Sequence, residues 1–329
     1  MYMGMELFFA DTLKTFVIDL NRARPTLFIS VPRLWTKLQQ GVSKNMPPSK
    51  LGILLSIPIV SILVKKRVLK GLGLECIRRA GTGSAPMPAE LLVWYRRLGL
   101  ELLEGYGMID YFNYSHATRK GRGRVGYVGE PYDEVEQRIA SDGEIQIKGP
   151  GNMVGYYKDE KATKEAFTED GWLRTGDKGG VDEEGRLKIM GRTKEIFKTS
   201  KGKYVAPAPI ETKLIVNAWL ELACVGGAAY PQPHAIVQLN EDARAEAATK
   251  EGRDAISLSL ESLGKEVNAS VDRHEQLKFL AVVKDEWLAE NGFLTPTLKI
   301  VRNNIEDAYK SELDGWYASK RKVLWFGEW

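Results

Sequence analysis

A chain of 329 residues, 43% hydrophobic and 27% charged, has the make-up of a globular protein of two or three domains. Forty-seven basic against 43 acidic side chains leave a net charge of only +4, and a pI near 8.8 leans mildly toward anionic ligands. The basic runs Lys65-Lys66-Arg67 and Lys320-Arg321-Lys322 read as solvated helix faces, so nothing resembles a nucleic-acid-binding arm.

Along the chain, the apolar run at residues 26–31, set just before Pro32, predicts a buried parallel strand. The apolar stretch at residues 51–64 is too short for the ~20 residues a bilayer span needs, and Pro58 interrupts it. It predicts a buried or interfacial helix pair and leaves room for peripheral contact with the inner membrane surface. Residues 74–80 predict a strand that ends in the loop Gly81-Thr82-Gly83-Ser84-Ala85-Pro86. Pro88 then suits the first turn of a helix carrying Leu91, Trp94, Tyr95 and Leu98 on one face and stopped by Gly99. A second strand, 100–104, leads straight into Gly105-Tyr106-Gly107. Such a strand–helix–strand unit predicts parallel strands and a right-handed crossover. Both glycine-rich loops then leave the carboxyl ends of neighbouring strands, where ligands of open α/β sheets bind. Residues 81–86 and 105–110 are therefore expected to wall one pocket.

Downstream the pattern turns antiparallel. One hairpin is expected around Ser141-Asp142-Gly143, and a second around Glu183-Glu184-Gly185 with 186–190 as its return strand. A smaller α+β segment follows, with strands near 222–229, 234–239 and 279–284 and helices near 209–217, 255–268 and 301–313. The expected organisation is a partial large domain over 1–190, a hinge at 191–195 and a small C-terminal domain over 196–329.

Cys76 and Cys224 stand far apart in apolar, strand-like settings, which predicts buried free thiols in a reducing compartment. No basic stretch followed by an apolar core opens the chain, so no secretory signal is read and a cytoplasmic location is expected. His116, His234 and His274 are scattered and are given no catalytic role. Gly121-Arg122-Gly123-Arg124-Val125-Gly126 spells a dinucleotide fingerprint, but without a strand before it and a helix after it the stretch is read as loop.

Three spaced motifs carry chemistry. In Trp172-Leu173-Arg174-Thr175-Gly176-Asp177, the aspartate reads either as a turn carboxylate or as an acceptor for two ribose hydroxyls. Gly191-Arg192-Thr193-Lys194-Glu195 is a charged, glycine-led junction, which a solvated linker would also display. In Leu294-Thr295-Pro296-Thr297-Leu298-Lys299, the lysine is either a surface cation or a charge aimed at a phosphate. Tyr106 reads either as a half-buried strand-end tyrosine or as a ring stacked on a base.

Together with Gly105-Tyr106-Gly107-Met108, Lys203-Tyr204-Val205-Ala206-Pro207-Ala208-Pro209-Ile210-Glu211 and Glu290-Asn291-Gly292, these motifs resemble the adenylate-forming superfamily. That superfamily comprises acyl-CoA synthetases, luciferases and peptide-synthetase adenylation domains, and the wording is most similar to long-chain fatty acid–CoA ligases, from about Phe9 to about Tyr309. The resemblance implies an α/β fold: the C-terminal part of a large mixed parallel and antiparallel domain, plus a small α+β lid. It implies that fatty acid and ATP give acyl-AMP and pyrophosphate, and that CoA then displaces AMP. Lys299 would serve the first half-reaction. Gly83, Ser84, Ala85, Pro86, Gly105, Tyr106, Gly107, Met108, Asp177, Arg192, Lys194 and Lys198 would line the ATP/AMP site, with Lys194 at the hinge. Ser200, Lys201 and Gly202 would meet CoA, and Asp110 would hold Mg²⁺.

Two departures from the family pattern stand out. Where the family continues Gly-Tyr-Gly-Met with Thr-Glu, this chain has Ile109-Asp110, so a hydroxyl donor is lost and the carboxylate is one methylene shorter. The family's phosphate-cradling loop would lie upstream of residue 1. The alternative expectation is therefore a catalytically silent AMP-binding remnant, or one half of a split enzyme that needs an upstream partner chain.

Overall fold

The computed structural model describes residues 4–12, 15–296, 298–327 and 329; Thr297 of the lysine motif lies outside them. In the first part of the chain run α1 (Phe16–Ala23), β1 (Leu27–Ser30), α2 (Pro32–Asn45), α3 (Pro48–Ser56), α4 (Pro58–Gly71), β2 (Arg79–Gly83), α5 (Ala89–Arg97), β3 (Leu102–Tyr106), β4 (His116–Ala117) and β5 (Glu130–Pro131). Proline opens α2, α3 and α4, where a missing N–H costs nothing and the fixed φ suits the helix. The sheet order is β1-β2-β3-β4-β5, with β1, β2 and β3 parallel and the rest antiparallel. Trp35, Tyr95, Leu98 and Leu102 anchor the core beneath it. The Tyr95 hydroxyl donates to the Trp35 carbonyl at 2.7 Å, which satisfies a polar atom deep in apolar surroundings.

Three expectations need correction here. Strand β1 is parallel but covered on one face only: Phe28 packs against the core, whereas Leu27 is 45% and Ile29 68% exposed on the opposite face. Strand β2 begins at Arg79, so Gly81-Thr82-Gly83 is strand and residues 74–78 are turn. Glycine permits this close pairing, since a Cβ on Gly83 would sit 3.0 Å from the Gly105 carbonyl oxygen. Finally, Cys76 falls in that turn and is only half-buried, whereas Cys224 is buried in a strand.

Next come β6 (Glu136–Ile139), β7 (Glu144–Lys148), α6 (Glu160–Ala166), β8 (Leu173–Val181) and β9 (Leu187–Arg192), with sheet order β6-β7-β8-β9. The first hairpin turns at Gly143, with β6 and β7 antiparallel. At the second, the Asp182 carboxylate accepts from the amides of Glu184 and Arg186 and holds the turn closed.

The remainder comprises β10 (Phe197–Lys198), β11 (Tyr204–Val205), α7 (Pro207–Leu214), β12 (Leu220–Gly226), β13 (His234–Leu239), α8 (Glu241–Glu246), α9 (Lys250–Ala269), β14 (Leu280–Val283), α10 (Arg302–Ala318) and β15 (Val323–Phe326). Here β12 and β13 are antiparallel, and β13, β14 and β15 are parallel. Buried apolar side chains pack on both faces of this sheet, which is why β13 and β14 read as unbroken apolar runs. Among the described residues, no helix is long and apolar enough to cross a membrane.

The chain divides into two compact units, residues 1–175 with 179–189 and residues 176–178 with 190–329. The Thr193 amide donates to the Gly176 carbonyl at 2.8 Å, which ties this piece of β8 to the second unit.

Candidate functional site: two glycine loops and an aspartate–arginine pair

In the first unit, parallel pairing sets Gly83 beside Gly105, so the loops that follow β2 and β3 leave the same sheet edge. Ser84, with φ of 68°, Ala85 and Pro86 stand exposed at that edge. They form an exposed rim, and concavities of about 500 and 470 Å³ lie elsewhere. Gly107 is where the second loop doubles back, and a Cβ there would lie 2.7 Å from the Asn113 Cα.

Tyr106 and Met108 are half-buried against the cluster of Tyr111, Val135, Ile145 and Ile147. The Tyr106 ring is tilted against His116 with centroids 5.9 Å apart. Ile109 is 91% exposed, and the Asp110 carboxylate accepts from the Tyr156 hydroxyl. Asp110 could give Mg²⁺ one ligand; no group of three His, Cys, Asp or Glu among the described residues could hold a metal ion. Mg²⁺ fits such a site only as an ion held mainly by water and substrate phosphates. Just before the loop, burial pushes the Glu104 carboxyl up to about 8.

The second unit carries Asp177, Arg192, Lys194, Lys198, Ser200, Lys201, Gly202 and Lys299. The Arg192 Nε donates to the Asp177 carboxylate at 3.0 Å, with the Asp177 side chain 10% and the Arg192 side chain 55% exposed. A sheltered acceptor backed by an accessible cation is a fitting arrangement for a vicinal diol. Lys194 is exposed in the turn that follows. Strands β10 and β11 form a small antiparallel hairpin, with Lys198 Nζ 5.6 Å from the Tyr204 ring centroid. Its turn holds Ser200, Lys201 and Gly202, and the Ser200 amide donates to the Tyr230 carbonyl at 2.9 Å. Lys299 lies exposed at the end of a loop closed by the Leu294–Ile300 bridge and by the Lys299 amide donating to Thr295 Oγ1 at 3.1 Å.

Sequence reading missed the polar cluster beneath that loop. Arg302 donates to Glu211 at 2.6 and 3.1 Å and to the Val225 carbonyl at 2.8 Å, and it pairs with Glu195 of the junction at 3.6 Å. Burial works against its charge, but the carboxylates outweigh burial and raise its pKa. The available signal was Arg302 itself, three residues after Lys299. His116 and His234 are both buried, and burial pushes each imidazole down to about 4.

Comparisons with known proteins agree with one another. A family model described as AMP-binding enzyme matches residues 1–157, and one described as AMP-binding enzyme C-terminal domain matches residues 194–321. The chain is 29% identical to long-chain-fatty-acid–CoA ligase FadD15 of Mycobacterium bovis, over 94% of this chain and 57% of that protein. It is 30% identical to long-chain-fatty-acid–CoA ligase 6 of Mus musculus, over 95% and 51%. Among solved structures it resembles the A-PCP didomain of carboxylic acid reductase from Segniliparus rugosus in complex with AMP. That likeness has a TM-score of 0.73 and 25% identity, and it covers 94% of this chain and 44% of that one. The chain thus spans about half the length of the curated relatives it matches. With family models matching on both sides of the junction, this chain belongs to the adenylate-forming superfamily of AMP-binding enzymes.

Proposed function

We propose that this chain is the AMP-binding and lid portion of an AMP-forming acyl-CoA ligase acting on long-chain fatty acids. The observation that carries the reading is the Asp177–Arg192 pair, at 3.0 Å, in a chain related to ligases of that name. In this reading a substrate carboxylate oxygen attacks the α-phosphorus of ATP, the α–β bond breaks, and pyrophosphate leaves. Lys299 spreads positive charge over the attacking carboxylate and the α-phosphate. The CoA sulfur then attacks the acyl carbon, the acyl–oxygen bond breaks, and AMP leaves. Asp177 accepts the ribose hydroxyls, Arg192 braces it, and Tyr106 and residues 83–86 serve the adenine. Lys194 acts at the hinge, and Ser200, Lys201 and Gly202 guide CoA. Mg²⁺, with Asp110 as one ligand, neutralises phosphate charge when bound.

A second reading, a silent AMP-binding remnant or one half of a split enzyme completed by another chain, is favoured by Ile109, which offers no hydroxyl to a phosphate. Calorimetry on this chain addresses the nucleotide site that both readings share. AMP should bind more tightly than ATP, and Asp177→Ala should weaken AMP by ~1.5–3 kcal/mol, the worth of hydrogen bonds to a charged group. Tighter binding of ATP, or an unchanged affinity in the variant, would count against the site. Pyrophosphate release with ATP, Mg²⁺ and a long-chain fatty acid then separates the readings: turnover near an ordinary ~10 s⁻¹ would rule out the silent one.

A further inference from the structure

Residues 20–74 hold ten lysines and arginines and no aspartate or glutamate, in a chain whose net charge is only +4. Near the middle of this segment α3 and α4 form a helical pair, each opened by proline, with Ile57 extended between them. One side of the pair is packed, with Leu51, Ser61 and Val68 buried. The other side is bare: Ile59, Ile62 and Leu63 are 78%, 67% and 66% exposed, with Ile53 at 65%. On α4 the exposed positions 59, 62, 63, 66, 67 and 70 recur at three-and-four spacing and make one stripe. Its first half, beside the turn, is Ile59, Ile62 and Leu63; its second half is Lys66, Arg67 and Lys70. At 1.5 Å rise per residue, the apolar end lies roughly 10 Å along the axis from Lys66.

We propose that the α3–α4 turn docks on an anionic lipid surface. The isoleucines sink to the boundary between headgroups and acyl chains, and Lys66, Arg67 and Lys70 sit at the level of the phosphates. An apolar tip ~5–10 Å deep with cations behind it matches the layering of a bilayer surface. Residues 20–74 hold no carboxylate to oppose it, and Glu75, which lines the same concavity as Arg67 and Lys70, is paired with Arg24 at 2.8 Å. This inference is independent of the ligase reading, since no residue of the nucleotide site takes part.

The test is co-sedimentation of the full chain with vesicles of phosphatidylcholine alone and of phosphatidylcholine with phosphatidylglycerol. Binding should favour the anionic vesicles and be largely lost in ~1 M salt, where the screening length falls from ~10 to ~3 Å. The variant Ile59→Ser/Ile62→Ser/Leu63→Ser changes only exposed positions and should keep the wild-type circular dichroism. It should bind more weakly by about tenfold per residue. Lys66→Glu/Arg67→Glu should erase the preference for phosphatidylglycerol. Equal binding to both vesicle types would overturn the proposal. So would full binding by both variants, which would point to other exposed apolar residues such as Phe9 or Ile29. A tip that drives self-association in solution and ignores vesicles would overturn it as well.

Discussion

Replacing Glu104 by glutamine gives a sharp test of the energetics around the second glycine loop. The carboxyl is 9% exposed on β3, and burial raises its pKa from 4.5 to about 8. Between those values the folded chain holds a proton that the unfolded chain has released. Stability is therefore full below pH 4.5 and declines as pH rises through about 8. At ~1.4 kcal/mol per pK unit, the whole swing is at most about 5 kcal/mol. Glutamine keeps the shape and carries no charge, so Glu104→Gln should equal the wild type below pH 4.5 and exceed it by several kcal/mol above pH 8. Because two units unfold in one chain, the readout should be local: amide exchange of a peptide covering residues 102–106, followed across pH. Parallel stability profiles for the two proteins would refute the reasoning, because the burial cost would then be absent.

In the second unit, Arg302→Leu should cost up to ~3–5 kcal/mol by leaving the half-buried Glu211 without its cation, and adding Glu211→Leu should restore much of the loss. A loss under ~1 kcal/mol in denaturant melts would show that the cluster contributes little. For His234, whose imidazole burial holds at about 4, stability is full above 6.5 and is lost as pH falls toward 4. His234→Gln should flatten that acid limb, and an unchanged limb would contradict the burial argument. If the chain has the ligase activity proposed above, Lys299→Ala should abolish acyl-adenylate formation while sparing thioester formation from supplied acyl-AMP. Equal loss in both half-reactions would argue against its role.

The sequence by itself determined what is local. Turn chemistry at Gly143 and around Asp182 set two hairpins, because an acidic residue and a glycine in a turn act within a few residues. Alternation and apolar runs placed β13 and β14, and spaced motifs brought out the family before any packing was considered. Tertiary structure decided what depends on distant chain. β1 is as apolar in sequence as a core strand, and only the packing decides that Phe28 meets the core while Ile29, on the other face, stays in solvent. β2 starts at Arg79 because pairing with β3 selects Gly81 and Gly83 for the close approach. β15, short and far from its partners in sequence, becomes a strand only by pairing with β14. Arg302 looks like any surface cation until Glu195 and Glu211, about a hundred residues upstream, close around it. Burial is a sum over neighbours that local sequence does not name, so the Glu104 and His234 shifts, like the bare stripe on α4, exist only once the chain has folded.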